Sequence, residues 1–302
     1  MDVKKATKTL KIKDLILQKV QDYVLLIKLR LTLTVVFSSV MAYLIALKGP
    51  INWLALSILL LGGFLVTAAA NALNQVLEQD YDKLMERTAN RPLAAGRMKT
   101  AEAVLFAGLM TLLGITLLAL FNPWTAFFGM AALVTYAFMY TPMKRLSPAA
   151  IFIGAIPGAI PALIGCTAAE GSLTVLGLTL FSIQFFWQFP HFWSIGYLGF
   201  GDYKKAGFKF IPSGIDENVP DRRIGIQALF YAILLSIVSV TPWLIGITGL
   251  VSAIIALSLS LIFAYYSWQF YKEFERKSAL KLMFFSFAYI PMTFIAFYFD
   301  KI

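Results

Sequence analysis

Asn71, Asn74, Glu78 and Asp82 recur at spacings of three, four and four in the stretch NALNQVLEQDYDKLMERTANRPLAAGRM. On a helix advancing roughly 100° per residue they fall within an arc of about 80°, and successive members rise by about 4.5–6 Å. Side chains so placed converge on bridging divalent ions. Carboxylate and amide oxygens are hard ligands suited to magnesium, which keeps several waters and bridges to substrate phosphates. Asn74, Glu78 and Asp82 are therefore the expected metal ligands, with Asn71 deeper on the same stripe. Asp80 lies off the stripe and is expected to be solvated or paired with a nearby base. The same stretch also reads as an amphipathic helix end whose acids meet neighbouring lysines and arginines. Position favours the metal: the acids cap an apolar run, and the asparagines sit deeper, where buried polar groups are expensive.

Arg87, Asn90 and Arg91 follow, ahead of Pro92 and Gly96, in a loop that can fold back over the stripe. Arginine is a forked donor matched to phosphate oxygens, although arginines beside a span also mark the cytoplasmic side. A second constellation lies in QFFWQFPHFWSIGYLGFGDYKKAGFKFIP. Gln184, Gln188 and His191 recur at i, i+4 and i+7, a polar face on an aromatic helix that also carries Trp187 and Trp193. His191 is the only histidine. It reads as cavity-lining, with proton transfer, ligation of a metalloporphyrin iron and plain packing all open. Asp202 is the only acid in its loop before Asp216 and is followed by Lys204 and Lys205; with Tyr140, Lys144 and Arg145 of YTPMKR they can surround a phosphate. Pro157 and Pro161 allow a bent helix beside a ligand, or simply flexible packing.

The elements that must position these residues are long and apolar. Of 302 residues 59% are hydrophobic and only 14% charged, whereas a soluble domain is nearer half apolar and a quarter charged. Nine apolar runs can be read, at 29–47, 53–77, 101–121, 124–140, 148–168, 173–198, 224–245, 247–271 and 281–299. Each can cross a hydrocarbon core of about 30 Å as a helix rising about 1.5 Å per residue. Backbone groups facing lipid must bond internally, so helices are expected. The predicted fold is all-α: a polytopic membrane protein with about nine transmembrane helices around a central cavity open to the cytoplasmic side.

The net charge of +10 is not read as a nucleic-acid footprint, because the bases alternate with the spans. With the N-terminus inside, all 26 lysines and arginines except Lys48 and Lys301 fall in cytoplasmic segments. That places the C-terminus outside. Residues 1–28 form a basic cytoplasmic segment, expected to be uncleaved, and 29–302 a single transmembrane unit. Cys166, the one cysteine, lies in an apolar run and reads as packing. Long loops after the second and sixth runs suggest a loose duplication, without a residue-level repeat.

With these residues in view, the sequence resembles the UbiA-type intramembrane prenyltransferases, and within them the branch that acts on heme. Asn74, Glu78 and Asp82 match the superfamily pattern Asn-x-x-x-acid-x-x-x-Asp. LMERTANRPLAAGRM, YTPMKR, QFPHFW and DYKKAG follow in order, and the similarity runs from about Lys28 to the C-terminus. The resemblance implies a prenyltransferase domain over 29–302, farnesyl diphosphate as donor, heme B as acceptor and Mg2+ as cofactor. It implies catalytic roles for Asn74, Glu78, Asp82, His191 and Asp202, with Asp202 as a further metal ligand. Arg30, Arg87, Asn90, Arg91, Tyr140, Lys144, Arg145, Lys204 and Lys205 would meet the diphosphate. Asn71, Gln184, Trp187, Gln188, His191 and Trp193 would line the heme and isoprenoid cavity. The implied setting is a bacterial inner membrane, with heme-processing or heme–copper oxidase assembly proteins as partners.

Three positions depart from the pattern. Leu29 stands where many relatives have proline, Glu78 replaces a common aspartate, and Asp202 is followed four residues later by Ala206 instead of a second acid. Two other functions remain open on the residues alone. One is a transferase acting on a quinone precursor or another aromatic ring. The other is a transporter of heme or an anionic lipid, suggested by the broken fifth run and the intramembrane polar stripe.

Overall fold

In the computed structural model of the chain, residues 2–302 are described, with side chains from residue 13 onward. Met1 and the side chains of Lys4, Lys5, Lys8 and Lys11, part of the basic N-terminal segment, lie outside the described residues. Among the described residues the chain is helical, with two isolated bridges in place of a sheet. Helices α1 (Asp2–Leu26), α2 (Leu29–Ala46), α3 (Trp53–Asp82) and α4 (Thr100–Ala119) come first. Next, α5 (Pro123–Val134) runs through a π-helical stretch, Thr135–Tyr140, into α6 (Thr141–Met143). Then come α7 (Ala150–Glu170), α8 (Val175–Leu198), the short α9 (Phe200–Lys205), α10 (Arg223–Val238), α11 (Thr241–Leu244), α12 (Leu250–Glu273) and α13 (Arg276–Phe299).

Local chemistry sets these boundaries. Asn52, Asn122 and Thr174 cap α3, α5 and α8 by accepting from Ala55, Thr125 and Gly177 backbone N–H groups. Helix α13 begins with a Glu275–Ser278 capping box. The run at 224–245 does not form one helix: it breaks at Ser239–Val240, ahead of α11 and its Pro242. Proline has no N–H to give to the carbonyl four residues back, that of Val238, which accepts from the Thr241 hydroxyl at 2.7 Å instead. Helix α3, by contrast, continues unbroken from Trp53 through the acidic stripe to Asp82, as the periodicity predicts.

Among the described residues, eight helical segments are long and apolar enough to cross a membrane: α2, α3, α4, α5 through α6, α7, α10 through α11, α12 and α13. Helix α8 matches them in length, at 24 residues, and packs on α7, α10 and α13. Gln184, Gln188 and His191 lower its hydropathy. Helix α7 is the most enclosed span, with 78% of its apolar window buried against 22% for α4. Its small residues allow that: a Cβ on Gly165 would run into the backbone of α2 at Ser39 and Tyr43. Two apolar clusters, one across α7, α8, α10, α12 and α13 and one across α3, α4 and α5, both contribute walls to a single large cavity.

The two lysines outside the basic segments lie at the same end of the bundle. Lys301 Nζ donates to the Leu44 and Leu47 carbonyls at 2.8 and 3.0 Å, beside Lys48. Helix α1 docks elsewhere, through Arg97 on Asp22 and Lys19 on Glu102. Between α1 and α2, Lys28 adopts a left-handed conformation, φ 49°. That costs a non-glycine residue about 1–2 kcal/mol. Contacts from neighbouring side chains offset it: Thr32 Oγ1 and Asn71 Nδ2 both donate to the Ile27 carbonyl, at 2.6 and 3.1 Å. Gln75 Nε2 holds the Leu25 and Leu26 carbonyls.

Candidate active site

The acidic stripe of α3 is buried within the protein yet lines the cavity. Asn74, Glu78 and Asp82 are 1%, 3% and 1% exposed, whereas Asp80, off the stripe, is exposed and pairs with Lys83. Each of the three carries a cation. Lys28 Nζ donates to Asn74 Oδ1 at 2.6 Å, Lys144 pairs with Glu78, and Arg91 Nη1 reaches both Asp82 oxygens at 2.8 and 2.7 Å. Asn74 Nδ2 donates to Glu78 Oε2 at 2.9 Å and to Thr141 Oγ1 at 3.0 Å, which orients its carbonyl oxygen toward Lys28. Thr141 in turn donates to the Tyr136 carbonyl at 2.9 Å, in the π-helical stretch.

Electrostatics at this wall favour an anion. Among the described residues, Lys28, Arg30, Arg87, Arg91 and Lys144 line the cavity against only Glu78 and Asp82, an excess of three positive charges. Burial first, then the neighbouring Arg91 and Lys144 charges, push the Lys28 ammonium well below the ordinary lysine range, against the pull of Glu78 and Asp82. A fixed anion brought among these bases would relieve that repulsion. Lys144 also sits 5.0 and 5.4 Å from the ring centres of Tyr140 and Phe208, and Arg87 donates to the Tyr203 hydroxyl at 3.3 Å.

The donors here are hard oxygens suited to a divalent cation. Among the described residues no three His, Cys, Asp or Glu side chains lie close enough to hold a metal alone. Asn74 and oxygens from a ligand would have to complete the shell around Glu78 and Asp82. The cavity encloses about 980 Å³, at the upper end of small-molecule sites. Beyond the charged wall it is lined by Gln184, Trp187, Gln188, His191 and Phe287, with Asn71 also reaching it. Gln188 Nε2 donates to the Ala155 carbonyl at 3.0 Å, and a Cβ on Gly158 would overlap the Gln188 amide.

Six residues expected at the site do not reach the cavity. Asp202 is half-buried on α9 and outside the lining; its neighbour Tyr203, about 100° round the helix, turns inward instead. The metal role expected of Asp202 is therefore not supported by its placement. Lys204 turns to the Glu217 carbonyl at 2.6 Å, and Lys205 is exposed. Asn90 is held by Arg97, and Arg145 donates to the Tyr81 hydroxyl at 2.7 Å, 4.7 Å from the centre of that ring. Trp193, 2% exposed, packs in the core. Lys28, Tyr136, Thr141, Tyr203, Phe208 and Ser286 belong to the site or its support without having been singled out. Tyr136 stands four residues before Tyr140, a spacing that carried a signal. Lys28 depends on a left-handed turn, and Ser286 on contact with a helix remote in sequence.

Comparison with known proteins agrees with this architecture. The UbiA prenyltransferase family matches residues 35–289. Among curated proteins, a protoheme IX farnesyltransferase of Cytophaga hutchinsonii is 42% identical, covering 93% of this chain and 98% of its own. One of Christiangramia forsetii is 43% identical over 93% of both, and one of Flavobacterium johnsoniae 40% identical over 98% of both. Among solved structures, a digeranylgeranylglyceryl phosphate synthase aligns with a TM-score of 0.77 at 21% identity, covering 94% of this chain and 98% of that one. A UbiA homolog from Archaeoglobus fulgidus bound to GPP and Mg2+ aligns at 0.67 and 15% identity, over 91% and 99%.

Proposed function

The chain belongs to the UbiA prenyltransferase family, and we propose that its cavity accepts farnesyl diphosphate, Mg2+ and heme B together. It is an integral membrane enzyme that transfers the farnesyl group to a vinyl group of heme B, giving heme O and diphosphate. The observation carrying the site assignment is the pairing at one wall: Lys28 on Asn74, Lys144 on Glu78 and Arg91 on Asp82. Acids for a metal and bases for phosphate oxygens are interleaved there, with positive charge in excess.

Mg2+ would be held by Glu78 and Asp82 with Asn74 in support, and supplies neutralisation of charge on the departing diphosphate. Lys144, Arg91 and Lys28 turn from their carboxylate and amide partners to the diphosphate oxygens, with Arg87 and Arg30 at the rim. They stabilise charge that grows as the bond between oxygen and the farnesyl C1 breaks. The vinyl electrons form the new carbon–carbon bond at C1, and water captures the cation left on the porphyrin side, losing a proton. The apolar walls keep other water from the allylic cation.

Nine spans are proposed, α8 included, because Val175–Leu198 packs among the other spans at matching length. The end rich in lysine and arginine is placed in the cytoplasm, with Lys48 and Lys301 on the far side. The test is direct. Purified protein incubated with heme B, farnesyl diphosphate and Mg2+ gains a porphyrin product heavier by one farnesyl group and one hydroxyl group. Transfer to an aromatic acid but not to heme B would overturn the acceptor. Near-normal turnover in Glu78→Ala or Asp82→Ala would remove the metal assignment.

A further inference from the structure

Ser286, fully buried on α13, serves α8 through two of its atoms. Its carbonyl accepts from Trp187 Nε1 at 2.9 Å, and its hydroxyl oxygen lies 2.7 Å from His191 Nδ1. The Trp187 indole stacks on the imidazole, with centroids 4.9 Å apart and planes inclined by 16°. Phe287 meets the same ring edge-on at 5.3 Å. The plane of the His191 ring and its rotation within that plane are thus both set.

A third atom decides which partner donates. Ser286 Oγ also lies 2.5 Å from the Met283 carbonyl oxygen. Two oxygens this close need a hydrogen between them, and a carbonyl has none to give. The single hydroxyl hydrogen is therefore committed to Met283, and toward His191 the serine offers only lone pairs. Nδ1 must carry the hydrogen. In a neutral ring the free lone pair is then on Nε2, directed away from Ser286, and His191 lines the cavity.

The surroundings suit that neutral form. Among the described residues, the only carboxylates lining the cavity are Glu78 and Asp82, already paired with Lys144 and Arg91. Around His191 stand Trp187, Phe192 and Phe287, which provide flat apolar surface and no counter-ion for an imidazolium. A neutral Nε2 whose opposite nitrogen is held by a hydrogen bond is the usual form of a histidine that ligates a metal.

We propose that Ser286 is a positioning residue that fixes the His191 tautomer, so that Nε2 presents its lone pair as an axial ligand to the iron of the bound heme. The proposal rests on the acceptor reading above and assigns the contact that holds the acceptor. Detergent-purified full-length protein is titrated with heme B in the absence of farnesyl diphosphate, and the ferrous complex is read by resonance Raman. The wild-type complex shows an iron–histidine stretching band, which His191→Ala abolishes. Ser286→Ala keeps a band at lower frequency, because Nδ1–H loses its acceptor, and heme affinity falls about tenfold. Ser286→Thr, which retains the hydroxyl, restores both. Where Ser286→Ala does not fold, Ser286→Cys, with a weaker acceptor, gives the same downshift. The proposal is overturned if wild-type protein binds and farnesylates heme without that band, if the band survives in His191→Ala, or if Ser286→Ala keeps wild-type frequency and affinity. Wild-type protein that takes up no heme would overturn the acceptor reading as well, which separates the two failures.

Discussion

Glu78 on α3 and Lys144, just past α6, form an ion pair inside the cavity, with side chains 4% and 13% exposed. The carboxylate proposed for the metal and the ammonium proposed for the diphosphate therefore neutralise each other. Asp82 with Arg91 repeats the arrangement, and Lys28 donates to the neutral amide oxygen of Asn74 beside them.

Metal and diphosphate are consequently expected to bind cooperatively. Either guest alone must break a pair and strand a buried charge, while the two together exchange partners. Mn2+, followed by its EPR signal, should bind at least about tenfold more tightly in the presence of an unreactive farnesyl thiodiphosphate. The analogue must gain the same factor from the metal, since coupling free energies are reciprocal. Equal affinities with and without the second guest would exclude the exchange.

Lys144→Ala separates binding from catalysis. Removal of the ammonium leaves Glu78 free, so Mn2+ alone should bind more tightly than to the unaltered protein. The same variant should lose about 10²–10³-fold in kcat/KM, because charge on the leaving group is no longer met. Without metal it should also melt lower, as a buried carboxylate stands unpaired. Metal affinity falling in parallel with turnover would show that Lys144 supports the site in some other way.

Arg91→Lys tests the geometry of the second pair. Arg91 reaches both Asp82 oxygens while lining the cavity, and a lysine point charge cannot reproduce a planar fork. KM for farnesyl diphosphate should rise by about tenfold, with metal-free thermal stability reduced. Steady-state kinetics and a melting curve decide it, and an unchanged KM would place Arg91 outside the diphosphate contacts.

Gly158→Ala probes the contact between α7 and α8. The new methyl would overlap the Gln188 amide, which bonds the Ala155 and Gln184 carbonyls at 3.0 Å. Overpacking of this kind costs about 1–3 kcal/mol, and the displaced amide should lower heme uptake as well. Gly158→Ala combined with Gln188→Ala should recover part of the stability but not the heme affinity. Recovery of both would mean that Gln188 only fills space.

The stripe from Asn74 to Asp82 was legible because its information is local: a helix period, an apolar run and the residue types needed by a hard cation. Tyr140, Lys144, Arg87, Arg91, Gln184, Gln188 and His191 likewise appeared as polar groups at the ends or on one face of apolar runs. Asp202, Lys204 and Asn90 looked equivalent to them in sequence, and the structure turns each elsewhere. The rotation of α9 gives the inward position to Tyr203, while Glu217 and Arg97 capture the other two. A rotation of about 100° separates adjacent residues on a helix, so the choice between them rests on packing.

Composition and order alone determined a helical membrane protein, its alternation of charged and apolar segments and the helix that carries the acids, because span length and side-chain periodicity are properties of contiguous residues. Only the tertiary structure decided that Lys28 reaches Asn74, that Lys144 reaches Glu78 and that Ser286 holds His191. Each of these contacts joins segments remote in the chain, and helix rotation, a left-handed turn and the close approach of α2 to α7 are set jointly by all the packed helices.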